Sequence, residues 1–205
     1  MTASTNKPWA ARLSAKLLAP FVNTSLQPNH LTGLRLAIGL AGIATFCVGS
    51  MPNLAALLIV LSNFLDHADG EFARMTGRYS RFGHYFDLAS DAIVTIGMFV
   101  GIGIGLAGAH PEMPTTFMGL TAGVAIALMF HLRNNLETRL GKQAVAQPML
   151  GGFQVDDIMF LLPLVTLSGV LFQFLVAATI GAPLALVVVF AHYRYTMRRI
   201  SSTAP

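Results

Sequence analysis

Apolar stretches of about 20 residues recur along this chain, near 31–50, 54–76, 84–108, 115–140, 156–174 and 177–198. A helix of that length rises far enough to cross a bilayer core of roughly 30 Å. The pattern predicts an all-α, polytopic integral membrane protein with six transmembrane helices. Composition agrees, with 54% hydrophobic and only 11% charged residues. One domain is expected over 1–205, its transmembrane core covering 31–198, with Gly181 and Pro183 marking the break between the fifth and sixth spans.

The basic residues sort by membrane side, as the positive-inside rule requires. With the amino terminus inside, cytoplasmic segments hold Lys7, Arg12 and Lys16, then Arg74, Arg78 and Arg81, then Arg139 and Lys142, and finally Arg198 and Arg199. Arg35, Arg133 and Arg194 fall in helix ends flanking the same face, and the outer connections hold no Lys or Arg. Both termini are therefore expected to be cytoplasmic, and the net charge of +4 reads as membrane topology rather than nucleic-acid binding. Over 8–22, Trp9, Leu13, Leu17 and Phe21 recur at helical spacing with Arg12 and Lys16 off that stripe. This predicts an amphipathic helix along the inner surface. No cleavable signal peptide is expected, and the lone Cys47 excludes an intrachain disulfide.

Four acids interrupt this apolar background. Asp66 and Asp69 are three apart and Asp87 and Asp91 four apart, so each pair shares a helical face. A short connection makes their helices antiparallel neighbours, which lets the two faces meet near the inner boundary. Ionisable groups inside a membrane are costly unless paired or bound to cations. Carboxylate oxygens without thiolates favour Mg²⁺, Mn²⁺ or Ca²⁺, and two such ions could clamp a diphosphate for in-line displacement at phosphorus. Gly70 and Gly83 leave room for a bulky ligand, and Arg74 is one turn beyond Asp69, placed for phosphate oxygens. Arg78 and Arg81 add positive field.

Gly97, Gly101 and Gly105 form a small-residue ridge suited to close helix packing. Gly103, Gly105 and Gly108 spell a dinucleotide-binding motif, but that motif needs a strand-to-helix turn and here lies inside an apolar helix. His67 shares the helix of Asp66 but points about 100° away from it, so it is expected to be a neighbour rather than a ligand. Asp156 and Asp157 suit a helix amino terminus.

The run Asp66, Asp69, Gly70, Ala73, Arg74, Gly83, Asp87, Asp91 resembles the signature of the CDP-alcohol phosphotransferases (CDP-alcohol phosphatidyltransferases), with every spacing kept. Pro28, Asn29, Leu31, Thr32, Arg35 and Gly39 are similar to that family's entry into its first helix. The resemblance implies a homodimeric enzyme of phospholipid biosynthesis that uses two Mg²⁺ or Mn²⁺ ions. Such an enzyme transfers a phospho-alcohol group from a CDP-linked donor to a hydroxyl and releases CMP. It implies that Asp66, Asp69, Asp87 and Asp91 hold the metals, with Asp91 also the general base. It further implies that Gly70, Ala73, Arg74, Gly83, Asn29 and Thr32 bind the nucleotide.

Family members acting on choline and ethanolamine resemble this chain but carry a histidine after the third aspartate, where Leu88 stands here. That favours CDP-diacylglycerol as donor with a small polar alcohol or alcohol phosphate as acceptor. The stretch following Glu137 lacks the Gly-Lys-x-Lys-Thr pattern of glycerol phosphate users and is similar to the amino-alcohol branch, so head-group transfer from CDP-choline or CDP-ethanolamine to a lipid alcohol stays the alternative. Arg133, Arg139, Lys142 and Arg194 are the acceptor-binding candidates. A divalent-cation transporter is the rival from another class, and it is disfavoured because Glu112 is the only acid toward the outer side.

Overall fold

Proline opens two of the long helices and glycine closes them. Pro28 and Pro52 occupy first helical positions, where a missing N–H costs nothing, and Gly49 and Gly77 follow the same helices at φ of 77° and 66°. Ser80 caps the next helix, its hydroxyl accepting from the Gly83 N–H at 2.9 Å. The computed structural model describes residues 9–140 and 159–203, apart from the side chains of 137, 139, 140 and 199–203. The elements are α1 (Trp9–Leu18) with a 3₁₀ turn (Ala19–Phe21), α2 (Pro28–Val48), α3 (Pro52–Thr76), α4 (Arg81–Ala107), α5 (Thr115–Leu140), α6 (Leu162–Leu167) and α7 (Leu171–Thr203). No strand occurs among the described residues.

Among the described residues the fold is all-helical, and four helices are long and apolar enough to cross a membrane: Pro28–Val48, Arg81–Ala107, Thr115–Leu136 and Leu171–Arg198. The length of α3 is comparable, but Asp66, Asp69, Glu71 and Arg74 in its last turns lower its hydropathy. One expectation is overturned. The break at Gly181 and Pro183 does not occur, because α7 runs unbroken through Pro183. Membrane helices tolerate proline when neighbouring helices and Ser/Thr side chains accommodate the freed carbonyl. Here the Thr179 hydroxyl, one turn before Pro183, donates to Leu175 O and reaches Met118 O, which ties this part of α7 to the neighbouring α5. The chain turns earlier instead, at Ser168–Val170, where Gly169 has φ of 73°. Asp156 and Asp157 lie outside the described residues.

The bundle is dry and close-packed at the end remote from the four aspartates. Phe46, Ala55, Ala56, Ile59, Met98, Phe99 and Leu175 are among its buried core. The ridge of Gly97, Gly101 and Gly105 is taken up inside the chain, against Ile43, Phe46 and Gly49 of the neighbouring α2 and its end. Gly119 and Gly123 of α5 meet the α4 backbone at Phe99 and Ile96 in the same way. At the acidic end a smaller cluster of Leu18, Leu31, Ala68 and Phe72 joins α1, α2 and α3. The buried face of α1 is Ala10, Ala11, Ser14 and Leu18, while Leu13, Leu17 and Phe21 remain exposed.

A side chain at Gly105 would drive its first carbon into the Phe46 carbonyl oxygen, whereas Gly108 has nothing within 4 Å. Gly105→Val should therefore destabilise the bundle by about 1–3 kcal/mol, the usual cost of overpacking. Gly108→Ala should leave it unchanged, both read as midpoints of thermal unfolding in detergent.

Candidate active site

Asp66 and Asp69 from α3 and Asp87 and Asp91 from α4 do converge, around one guanidinium. Arg35 of α2 sits about 10 Å along its helix from Pro28 and is only 2% exposed. Its Nη1 lies 2.7 Å from both Asp66 Oδ1 and Asp91 Oδ1, and its Nη2 lies 2.7 Å from Asp87 Oδ1. The same Nη2 donates to the Asp87 carbonyl at 3.1 Å, and Nε is 3.4 Å from Asp69 Oδ2. The fork geometry of arginine is what allows one side chain to serve three helices. Thr32, one turn before Arg35, donates its hydroxyl to Asp69 Oδ2 at 2.7 Å. Ser62 donates to the Arg35 carbonyl at 2.8 Å and ties α3 to α2 beneath the cluster.

Four carboxylates face one arginine, which leaves a formal excess of three negative charges. Asp66, Asp69 and Asp87 each offer an oxygen within 4.8 Å of the others. An all-oxygen donor set of this kind fits Mg²⁺ or Mn²⁺. The acids differ in access, since the Asp69 side chain is 6% exposed and that of Asp91 43%.

Two cavities flank the cluster. One, of about 540 Å³, is lined by Asn29, Thr32, Asp69, Gly70, Ala73, Arg74, Gly83 and Asp87. Every residue singled out for the nucleotide thus faces one space. Gly70 leaves room open toward Arg74, whose Nη1 would be 3.9 Å from an added Cβ. Gly83 is different, because Asn29 Oδ1 already occupies the place of its missing side chain, at 2.5 Å from an added Cβ. The buried Glu71 receives Arg74 Nε at 2.9 Å and Nη2 at 2.8 Å, which holds the guanidinium at the cavity. Arg78 donates to the Thr24 and Leu26 carbonyls at 3.1 and 2.6 Å and closes the rim.

The second cavity, of about 350 Å³, lies among α3, α4 and α5. Asp66, Asp87 and Asp91 line it, Asp69 does not, and Leu88 and Arg133 contribute to its wall. Asp87 and His84 border both cavities, so the acids form the partition. Of the other acceptor candidates, Arg194 is not in this wall and stands 5.9 Å over the Phe190 ring. Lys142 and the side chain of Arg139 lie outside the described residues.

Sequence reasoning placed Arg35 among the residues of the first helix but missed its central position. A lone arginine two turns inside an apolar helix needs acids, and only these four were at hand. Asn63, which lines the smaller cavity, and the buried Glu71, which holds Arg74, were also missed.

A family model for CDP-alcohol phosphatidyltransferases matches residues 25–193. Among curated proteins, the chain is 29% identical over 112 residues to a bifunctional IPC transferase and DIPP synthase of Aquifex aeolicus, covering 54% of this chain and 25% of that protein. It is 36% identical over 72 residues to a CDP-diacylglycerol–serine O-phosphatidyltransferase of Mycobacterium leprae, covering 35% and 24% respectively. It is 32% identical over 80 residues to an archaetidylinositol phosphate synthase of Pyrococcus horikoshii, covering 39% and 42%. The matched stretches thus span a quarter to about two fifths of these relatives.

Removing the Arg35 guanidinium leaves clustered carboxylates without their shared partner, and breaking a buried ion pair costs about 3–5 kcal/mol. Arg35→Ala should lower the unfolding midpoint sharply in metal-free buffer. Adding Mn²⁺ should restore part of the loss, more than it raises the midpoint of the unaltered protein.

Proposed function

Because the chain belongs to the CDP-alcohol phosphatidyltransferase family, we propose that it is a membrane-embedded transferase of phospholipid biosynthesis. It moves a phospho-alcohol group from a CDP-linked donor to a hydroxyl acceptor and releases CMP. The observation that carries this reading is the acidic partition between two cavities, which lets a diphosphate and a hydroxyl approach the same carboxylates from opposite sides.

In this reading the CDP moiety occupies the larger cavity, with Arg74 on phosphate oxygens and Asn29, Thr32, Gly70, Ala73 and Gly83 shaping the pocket. Asp66, Asp69, Asp87 and Asp91 hold two Mg²⁺ or Mn²⁺ ions. Such ions neutralise the diphosphate and favour attack at phosphorus when bound. Asp91, the most open of the four, takes the proton of the acceptor hydroxyl. The hydroxyl oxygen bonds to the phosphorus bearing the donor alcohol, the bridge to the cytidylyl phosphate breaks, and CMP leaves with that electron pair. Arg35 stays as a fixed positive charge that keeps the carboxylates oriented.

CDP-diacylglycerol is the favoured donor, with a small polar alcohol or alcohol phosphate as acceptor. Supporting this, the cavity beside Asp91 is of modest size and Leu88 is in its wall. The M. leprae relative is named for transfer to serine. Six crossings with both ends and the acids on the cytoplasmic side complete the proposal. Tyr193 of α7 donates to Asn135 near the end of α5, while Phe172 at the other end of α7 stacks on His110, ahead of α5, at 3.8 Å, so α5 and α7 run in the same direction. The exposed Leu13 and Leu17 of α1 and Phe21 of its 3₁₀ turn would rest among lipid head groups. A homodimer is part of the same reading, on faces other than the glycine ridge of α4.

Full-length protein in detergent should release CMP from a CDP-linked donor only with Mg²⁺ or Mn²⁺, and EDTA should abolish release. Asp91→Asn should lower turnover by at least about 100-fold, the contribution typical of a positioned base. Metal-independent release would overturn the proposal.

A further inference from the structure

The second cavity contains two polar groups on α3 that the transfer chemistry leaves unused. Asn63 and His67 are one helical turn apart and both line it, on the same wall as Asp66. His67 Nδ1 lies 2.9 Å from the Asn63 carbonyl oxygen. A carbonyl only accepts, so Nδ1 carries the proton, and in the neutral ring Nε2 is left with a lone pair. The ring is also fixed from its other side by Phe160, centroid to centroid 6.1 Å, and Phe160 in turn packs edge-on against Trp9 at 5.0 Å. Its orientation is therefore set before any ligand arrives.

Asn63 is unsatisfied. Its Nδ2 is shielded from solvent and has no hydrogen-bond partner. A buried donor without a partner costs about 1–3 kcal/mol, so the protein retains a group that folding alone would disfavour. As placed, Nδ2 is closed off from the cavity, and a half-turn of the amide, which exchanges its N–H₂ and carbonyl ends, would turn the donor toward it. An unpaired amide and an imidazole lone pair side by side complement a hydroxyl, which both donates and accepts. They do not complement an acyl chain.

Resting on the transferase reading above, we propose that Asn63 and His67 form the acceptor-selecting pair. They hold a hydroxyl of a small, water-soluble alcohol in the 350 Å³ cavity and aim its reacting oxygen at Asp91. The acceptor is then the polar partner, and the lipid enters on the CDP-linked donor. The wall opposite is built by Ala127, Phe130 and Asn134 of α5, which limits the size of what fits.

The test uses the full chain in detergent with Mn²⁺ and CDP-diacylglycerol, and serine, glycerol 3-phosphate and myo-inositol 1-phosphate as probe acceptors. One of them should support CMP release. With that acceptor, Asn63→Leu and His67→Leu should each raise its KM at least tenfold and leave the KM for CDP-diacylglycerol within twofold. His67→Gln should recover most of the loss, because its amide can donate to the Asn63 carbonyl and turn its oxygen to the cavity as the imidazole does. Asn63→Ala replaces Asn63→Leu if the larger side chain prevents folding. An unchanged acceptor KM, or equal rises in both KM values with a lowered unfolding midpoint, overturns the pair. CMP release from CDP-choline with diacylglycerol, and from no polar acceptor, overturns it while the transferase reading stands. No CMP release from any CDP-linked donor overturns both.

Discussion

Four carboxylates brought within reach of one another repel, and in a bundle with little surrounding water that repulsion would push α3 and α4 apart. Arg35 prevents this by bridging to all four from α2. Its position is not adjustable, because Ser62 holds its backbone carbonyl and Thr32 fixes Asp69 from the preceding turn. The depth at which α2 lies against α4 is set elsewhere, by the glycines that let the α4 backbone approach Phe46 and Gly49. Tight packing at one end thus determines whether the guanidinium reaches the carboxylates at the other.

The charge balance explains why the cluster is both stable and reactive. One arginine is enough to hold the helices together, but not to neutralise four aspartates. In the proposed function the remaining negative charge attracts divalent cations, and the cations in turn attract a diphosphate. An acidic cluster alone would repel a nucleotide. The Arg74 guanidinium, steadied by the buried Glu71, gives the larger cavity a positive group in the place a phosphate needs one.

Much of this was legible in the sequence because membrane helices obey few rules. Span length, basic-residue sorting and the three- and four-residue spacing of the acids each follow from the helical repeat and the bilayer thickness. Together they gave α2 to α5 to within three residues at either end, while Asn29, Thr32 and Ala73 of the larger cavity were expected from the family resemblance. Two kinds of information were not legible. Gly181 and Pro183 read as a break because proline lacks a donor, but a helix with neighbours accommodates that loss, and only the packing of Thr179 against Met118 reveals it. Arg35 read as one more positive-inside residue because its partners lie 31 to 56 positions away, a separation that only tertiary folding closes. Asn63 gave no signal at all, since an unpaired amide is defined by what surrounds it.

The partition also separates what the reaction must hold constant from what it can vary. Asp69 and the glycines face only the larger cavity, and Asn63, His67 and the α5 residues face only the smaller one, with Asp87 and His84 common to both. If the proposed roles hold, a substitution on the α5 wall changes the volume and polarity of the smaller cavity without touching a residue that lines the larger one. A substitution on the Gly70 and Arg74 side does the reverse. The acids and Arg35 lie between and tolerate neither change, because each carboxylate is tied to the same guanidinium. Under the proposed function, acceptor selectivity is then a property of a few side chains on α3 and α5. The chemistry is a property of the crossing point of α2, α3 and α4.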